Sequence, residues 1–113
     1  KEHIILHLLQ HNFLNEERYA KAFARGKFSI KKWGKIKIIN QLKFKGISEY
    51  NIKSGLKEID SNEYLIALQT IAEKKLPLIK ESNAYKKRSK LAAFLISKGF
   101  ESELVFKTVK TLI

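Results

Sequence analysis

The chain has no cysteine, no methionine, one proline and five glycines in 113 residues. Without cysteine it can be neither a disulfide-stapled scaffold nor a thiolate metal site. So little glycine and proline excludes collagen-like and proline-rich disordered classes. No apolar run approaches the roughly 20 residues of a membrane-spanning helix, and no signal-peptide pattern opens the chain. The absence of methionine implies that the chain starts downstream of its natural initiator, so a preceding N-terminal piece is expected. Cysteine-free composition permits a cytoplasmic location, which is the expectation adopted. No glycine-rich phosphate loop, metalloprotease histidine pair or recognisable nucleophile motif is found. No enzymatic activity is therefore expected.

What the chain does have is 44% apolar residues and a formal charge of +12 from 23 basic and 11 acidic side chains. The first figure supports folding into one domain or a short repeat array. The charge is uneven. Arg18 to Gly46 holds ten cations and no acid, and Lys74 to Lys98 holds eight cations against Glu81 alone. So dense a like-signed run repels itself, which points to a polyanionic or acidic partner. The acids gather at Glu16, Glu17, Glu58, Asp60, Glu63, Glu101 and Glu103, mostly near helix starts, where a carboxylate suits the positive end of the helix dipole.

Helical periodicity runs throughout. Ile4, Ile5, Leu8 and Leu9 form a first stripe. Asn15 is a plausible N-cap, followed by Tyr19, Ala22 and Phe23 as an apolar face. Ser29 to Gly34 breaks the pattern. Ile38, Ile39 and Leu42 recur before Gly46, and Ser48 can cap a segment carrying Ile52, Leu56 and Ile59. After Asp60-Ser61 come Leu65, Leu68, Ile71 and Ala72, then a loop from Pro77 to Ala84. Leu91, Phe94 and Leu95 precede Gly99, and a last stripe holds Leu104, Val105, Val109 and Leu112. The expectation is seven short helices and no strand.

The second half repeats the first. A shift of 53 residues carries Ile38, Leu42, Lys45, Gly46 and Ile47 onto Leu91, Leu95, Lys98, Gly99 and Phe100, and Ile52, Leu56 and Ile59 onto Val105, Val109 and Leu112. With about four extra residues in the connecting loop, Tyr19, Ala22 and Phe23 fall on Leu68, Ile71 and Ala72. The expected architecture is an all-α, elongated, curved array of tandem three-helix repeats. Residues 1–14 would be the last helix of a truncated repeat, 15–59 a second repeat and 60–113 a third. Such units stack because each is too small to bury its apolar face alone. Gly46 and Gly99 are the structural turns, left-handed residues between tightly joined helices.

Phe13-Leu14-Asn15-Glu16-Glu17-Arg18-Tyr19-Ala20, followed by Phe23-Ala24-Arg25, resembles the RecX family of regulators of the RecA recombinase. So do Trp33-Gly34, Lys37-Ile38, Gln41-Leu42 and Lys45-Gly46-Ile47. Lys90-Leu91-Ala92-Ala93-Phe94-Leu95 with Lys98-Gly99-Phe100 resembles the family's closing repeat. Asn15-Glu16 stands where an Asp-Asp pair is common, and the basic run from Lys31 to Lys37 lacks the arginines often mixed in. The resemblance implies three tandem three-helix repeats and a non-catalytic, monomeric protein in DNA repair and recombination. It implies binding in the groove of the RecA–single-strand DNA filament, limiting filament growth, ATP hydrolysis and strand exchange. The alternative from the residues alone is a nonspecific DNA- or RNA-binding helical module.

The candidate contact residues are Arg18, Arg25, Lys27, Lys31, Lys32, Trp33, Lys35, Lys37, Lys43 and Lys45, with Lys86, Lys87, Arg88 and Lys90 at the equivalent point of the later repeat. Clustered ammonium groups attract phosphate or carboxylate without regard to sequence, and an aromatic ring can stack on a base. Two readings stand for Trp33, packing against a neighbouring helix or stacking on a base. Arg18 and Arg25, seven apart on one helix face, either grip a partner or pair with Glu16, Glu17 or Glu58. His3, His7 and His11 recur every four residues, a spacing that can suit a transition metal. Without cysteine or a nearby carboxylate the preferred reading is an ordinary wet or packed face, so no metal and no cofactor is expected.

Overall fold

The computed structural model describes residues 15–113. The first expected helix and its three histidines lie outside the described residues. Six α-helices follow in order: α1 (Glu16–Lys31), α2 (Lys35–Phe44), α3 (Glu49–Leu56), α4 (Ser61–Lys75), α5 (Ala84–Ser97) and α6 (Ser102–Leu112), with a short 3-10 turn at Leu76–Leu78. No strand occurs among the described residues. The principal extents are 58 × 28 × 21 Å and the Cα radius of gyration is 17.2 Å, against about 13 Å for a compact chain of this size. The molecule is elongated, as stacked repeats require.

Helix starts follow side-chain capping. The Ser48, Asp60 and Asn83 side chains accept from the Asn51, Glu63 and Lys86 amides at 3.0–3.3 Å, satisfying donors that the first turn leaves free. Asn15 stands at the cap position of α1, but its side chain makes no capping bond. The first helix also runs further than its sequence pattern suggests. Ser29–Lys31 remain helical, and α1 ends where Lys32 turns left-handed at φ 57°. There the Lys32 amide donates to the Phe28 carbonyl at 3.1 Å and the Trp33 amide to the Lys27 carbonyl at 3.2 Å. A lysine performs the task usually given to glycine.

The two glycine turns are copies of each other. Gly46 and Gly99 take φ +81° and +99°. Behind each, the next residue donates back to a buried leucine, Ile47 to Leu42 at 3.0 Å and Phe100 to Leu95 at 3.3 Å. Ile38, Leu42, Leu91 and Leu95 are fully buried, as are or nearly are Ile52, Val105 and Val109. The shift of 53 is thus realised in three dimensions for the second and third helices of each unit.

The first helices align differently from the sequence expectation. Tyr19 is 44% exposed and Ala22 is exposed, while Ala20, Ala24 and Phe28 form the buried stripe of α1. Their counterparts on α4 are Leu68, Ala72 and Leu76, a shift of 48 rather than 49. The reason lies at the crossing of α1 and α3, where a Cβ on Gly55 would stand 2.7 Å from the Ala20 carbonyl oxygen. Small residues let the two helices touch backbone to backbone, which leaves Tyr19 exposed and Phe23 half-buried at the edge of the contact.

The units meet at a backbone joint. The Gly34 amide donates to the Lys98 carbonyl at 2.8 Å, and the Ile36 amide to the Gly99 carbonyl at 2.9 Å. A Cβ on Gly34 would collide with the backbone of Gly99 and Phe100. The Phe28, Tyr64 and Phe100 rings line this seam, with centroids 5.7 and 5.4 Å apart along the row. The three rings are buried at the seam, where each contributes apolar area to the junction.

Candidate nucleic-acid interface

At the edge of the core, Phe23 of α1 reaches Trp33, which follows the left-handed Lys32. The two rings meet edge to face with centroids 6.4 Å apart, and Tyr19 extends the row at 6.0 Å from Phe23. Phe23 and Trp33 are both half-buried, packing against the core on one side. Trp33 therefore packs against the core and keeps an accessible side.

Three lysines surround this pair. Lys27 Nζ lies 5.0 Å from the Trp33 ring centre and 5.4 Å from that of Phe23. Lys37 Nζ is 4.6 Å from Trp33, and Lys45 Nζ is 5.8 Å from Phe23. They come from the end of α1, the first turn of α2 and the end of α2, so the α1–α2 turn is what gathers them. Cation–π contacts of this kind contribute about 0.5–1 kcal/mol each at exposed sites. None of the three forms an ion pair among the described residues. The result is a concentrated positive field over two aromatic rings, suited to a phosphate beside a base.

The other candidates are placed elsewhere. Lys32 lies over Phe28, 5.6 Å from its ring centre, and lines a groove with Glu63 and Lys74. Lys35 Nζ sits 4.7 Å above the Tyr64 ring. Arg25 pairs with Glu58 at 3.8 Å, an exposed contact of little energetic weight. Arg18, two turns earlier on the same face, is exposed and unpaired among the described residues. Lys31 and Lys43 are exposed at the ends of α1 and α2. In the later unit Lys86 and Arg88 are exposed and Lys87 half-buried at the start of α5, while Lys90 pairs with Glu81 at 3.1 Å.

Two carboxylates expected to act as local caps tie helices together instead. Glu16 Oε1 accepts from the Ser48 amide at 3.0 Å and from Asn51 Nδ2 at 2.7 Å. These donors hold the Glu16 carboxyl below its ordinary value. Glu101 accepts from the Tyr64 hydroxyl, which in turn accepts from the Lys35 amide at 2.9 Å. Burial pushes the Tyr64 phenol well above its usual value and the Glu101 bond adds to this, so the proton stays on the tyrosine. The two ties are equivalent, each joining the start of a unit's first helix to the start of its third. Sequence reading missed Tyr64, Gly34 and Gly55. The shift of 48, which sets Glu16 on Tyr64, would have flagged the first.

No helix of the described residues is long and apolar enough to cross a membrane. Two family profiles match the chain: RecX, second three-helix domain, over residues 15–56, and RecX, third three-helix domain, over residues 62–109. Curated relatives named regulatory protein RecX align along most of the chain. That of Clostridium perfringens is 35% identical over 107 residues, covering 93% of this chain and 50% of its own length. That of Clostridium beijerinckii is 38% identical over 106 residues, covering 91% and 48%. That of Pelodictyon phaeoclathratiforme is 31% identical over 113 residues, covering 99% and 68%. The chain spans about half the length of the clostridial relatives. No solved structure gives a significant match.

Proposed function

The chain belongs to the RecX family, and from that membership we propose that it binds the RecA–single-strand DNA filament and restrains it. The observation that carries this reading is the Lys27–Lys37–Lys45 group over Phe23 and Trp33, set on an array 58 Å long. A long, narrow body with a basic aromatic edge suits an extended polymer better than a compact ligand. Ammonium groups draw the protein to the filament, and the elongated body then bridges neighbouring recombinase subunits. A ligand that prefers filament states unable to exchange strands shifts the population toward them. That restrains filament growth, ATP hydrolysis and strand exchange by binding alone, with no catalytic step and no cofactor, wherever the filament forms in the cytoplasm.

The test is a titration of recombinase ATP turnover on single-stranded DNA. The reading predicts that turnover falls, and filaments shorten, at protein concentrations far below that of the recombinase. Unchanged turnover at those concentrations would overturn it. A nonspecific DNA- or RNA-binding module would instead bind bare strands as tightly as filaments, with affinity dropping steeply as salt rises.

A further inference from the structure

The internal repeat carries two lysines of the cationic aromatic site into the later unit, where a ring of different origin joins them. The shift of 48 that carries α1 onto α4 sets Lys27 on Lys75, and the shift of 53 that carries α2 onto α5 sets Lys37 on Lys90. In the later unit Lys75 Nζ lies 4.7 Å from the ring centre of Phe94. Lys75, Lys80 and Lys90 line one open groove of about 490 Å³ together with Phe94, Leu78 and Ile79. The counterpart of Lys45 is Lys98, half-buried beside the joint, where its carbonyl receives Gly34. Lys80, supplied by the longer loop between α4 and α5, stands in the groove as the third cation. Each unit thus gathers three lysines near an aromatic ring, two of them by the repeat, although Phe94 falls on Gln41 and has no aromatic counterpart in the first unit.

We propose that Lys75, Lys80, Lys90 and Phe94 form a second nucleic-acid contact, so that one single strand runs along the array and engages both units. An acidic peptide would satisfy the ammonium groups but leave the rings unused, whereas a nucleotide offers a phosphate to the lysines and a flat base to the ring. The second site offers one ring where the first has two, and one of its lysines is already paired. Glu81 occupies Lys90 at 3.1 Å, whereas none of Lys27, Lys37 and Lys45 pairs with a carboxylate among the described residues. A strand phosphate entering the second site competes with Glu81 for Lys90, so the first site fills first and the second adds affinity only to strands long enough to reach it. This inference rests on the nucleic-acid part of the proposed function and is independent of any effect on the recombinase.

The experiment uses the whole chain and bare oligothymidylate, with no recombinase present. Trp33 is the sole tryptophan, so its emission reports the first site directly, and anisotropy of end-labelled strands reports total binding. Strands of about 6 nucleotides, within a single-site span, are compared with strands of about 30. The proposal predicts that the pair Lys75→Ala and Lys90→Ala weakens long-strand binding at least tenfold. It lowers the slope of log affinity against log salt by about 1.4, the value for two lost phosphate contacts on a single strand, and leaves short-strand quenching of Trp33 unchanged. Glu81→Gln should tighten long-strand binding, an effect that a merely structural role would not produce. Unchanged long-strand affinity in the double variant, with circular dichroism matching the wild type, overturns the second site. Equal binding to polyglutamate of matched charge overturns the nucleic-acid assignment in favour of an acidic protein. A failure of recombinase inhibition with both strand results intact would count against the proposed function and not against this site.

Discussion

Replacing Gly34 by alanine tests how the two units are joined. Gly34 has φ −74°, a conformation any residue adopts, so the substitution introduces no backbone strain of its own. Its cost comes entirely from the neighbour, because the new Cβ would run into the Gly99–Phe100 backbone, which cannot rotate away as a side chain can. Either the joint opens, losing the Gly34–Lys98 and Ile36–Gly99 hydrogen bonds at about 0.5–1.5 kcal/mol each, or it stays shut and overpacks at about 1–3 kcal/mol. Both routes give a destabilisation of roughly 1–3 kcal/mol. The control is Gly46→Ala. Gly46 needs its positive φ but has open space around its Cβ position, so that change costs about 1 kcal/mol from conformation alone. Urea unfolding measures both, and X-ray scattering reports the joint: an opened seam raises the radius of gyration above 17.2 Å. If Gly34→Ala unfolds no earlier than Gly46→Ala and scatters as the wild type does, the glycine–glycine joint is not what holds the units together.

Two further outcomes follow from the ties between helix starts. Tyr64→Phe removes a hydroxyl that bonds both the Lys35 amide and Glu101, and should cost about 1–3 kcal/mol because it leaves those groups unpaired; urea unfolding that matches the wild type would refute the tie. Glu16 titrates below its ordinary value of 4.5 in the folded chain. Its stabilising contribution is therefore present above that value and lost as pH falls through the lower folded value. The unfolding midpoint of Glu16→Gln should lie below that of the wild type at neutral pH and converge on it in acid, and a constant gap across the range would contradict the assignment.

The helical repeat was legible in the sequence because Gly46 and Gly99 carry a backbone requirement that reads directly as residue type, and because Ile38, Leu42, Leu91 and Leu95 are apolar in step with it. The packing face of α1 was not. Size suggested Tyr19, Ala22 and Phe23, yet the tight crossing of α1 and α3 is set by what is small, Ala20 and Gly55, and that choice depends on a partner far along the chain. The same inversion hid the candidate site. Left half-buried at the edge of the core, Phe23 joins Trp33, and the lysines that matter are those the turn at Lys32 gathers, Lys27, Lys37 and Lys45. Lys31 and Lys43 are equally basic in sequence but make no cation–π contact with either ring. Lys75 was not a candidate because a register error of one residue separates it from its counterpart Lys27, Lys80 has no counterpart in the first unit, and Phe94 reads in sequence as part of an apolar stripe. Tyr64 escaped because nothing in its sequence neighbourhood marks a tyrosine as the link between a cap and a seam.

The most direct measurement of the account is a titration of Trp33 emission with preassembled recombinase–single-strand DNA filament, set beside the same strand bare at equal phosphate concentration. Preferential quenching by the filament, at concentrations where the bare strand leaves Trp33 unaffected, is the predicted result. Equal response to both, or a response to the bare strand alone, would contradict it.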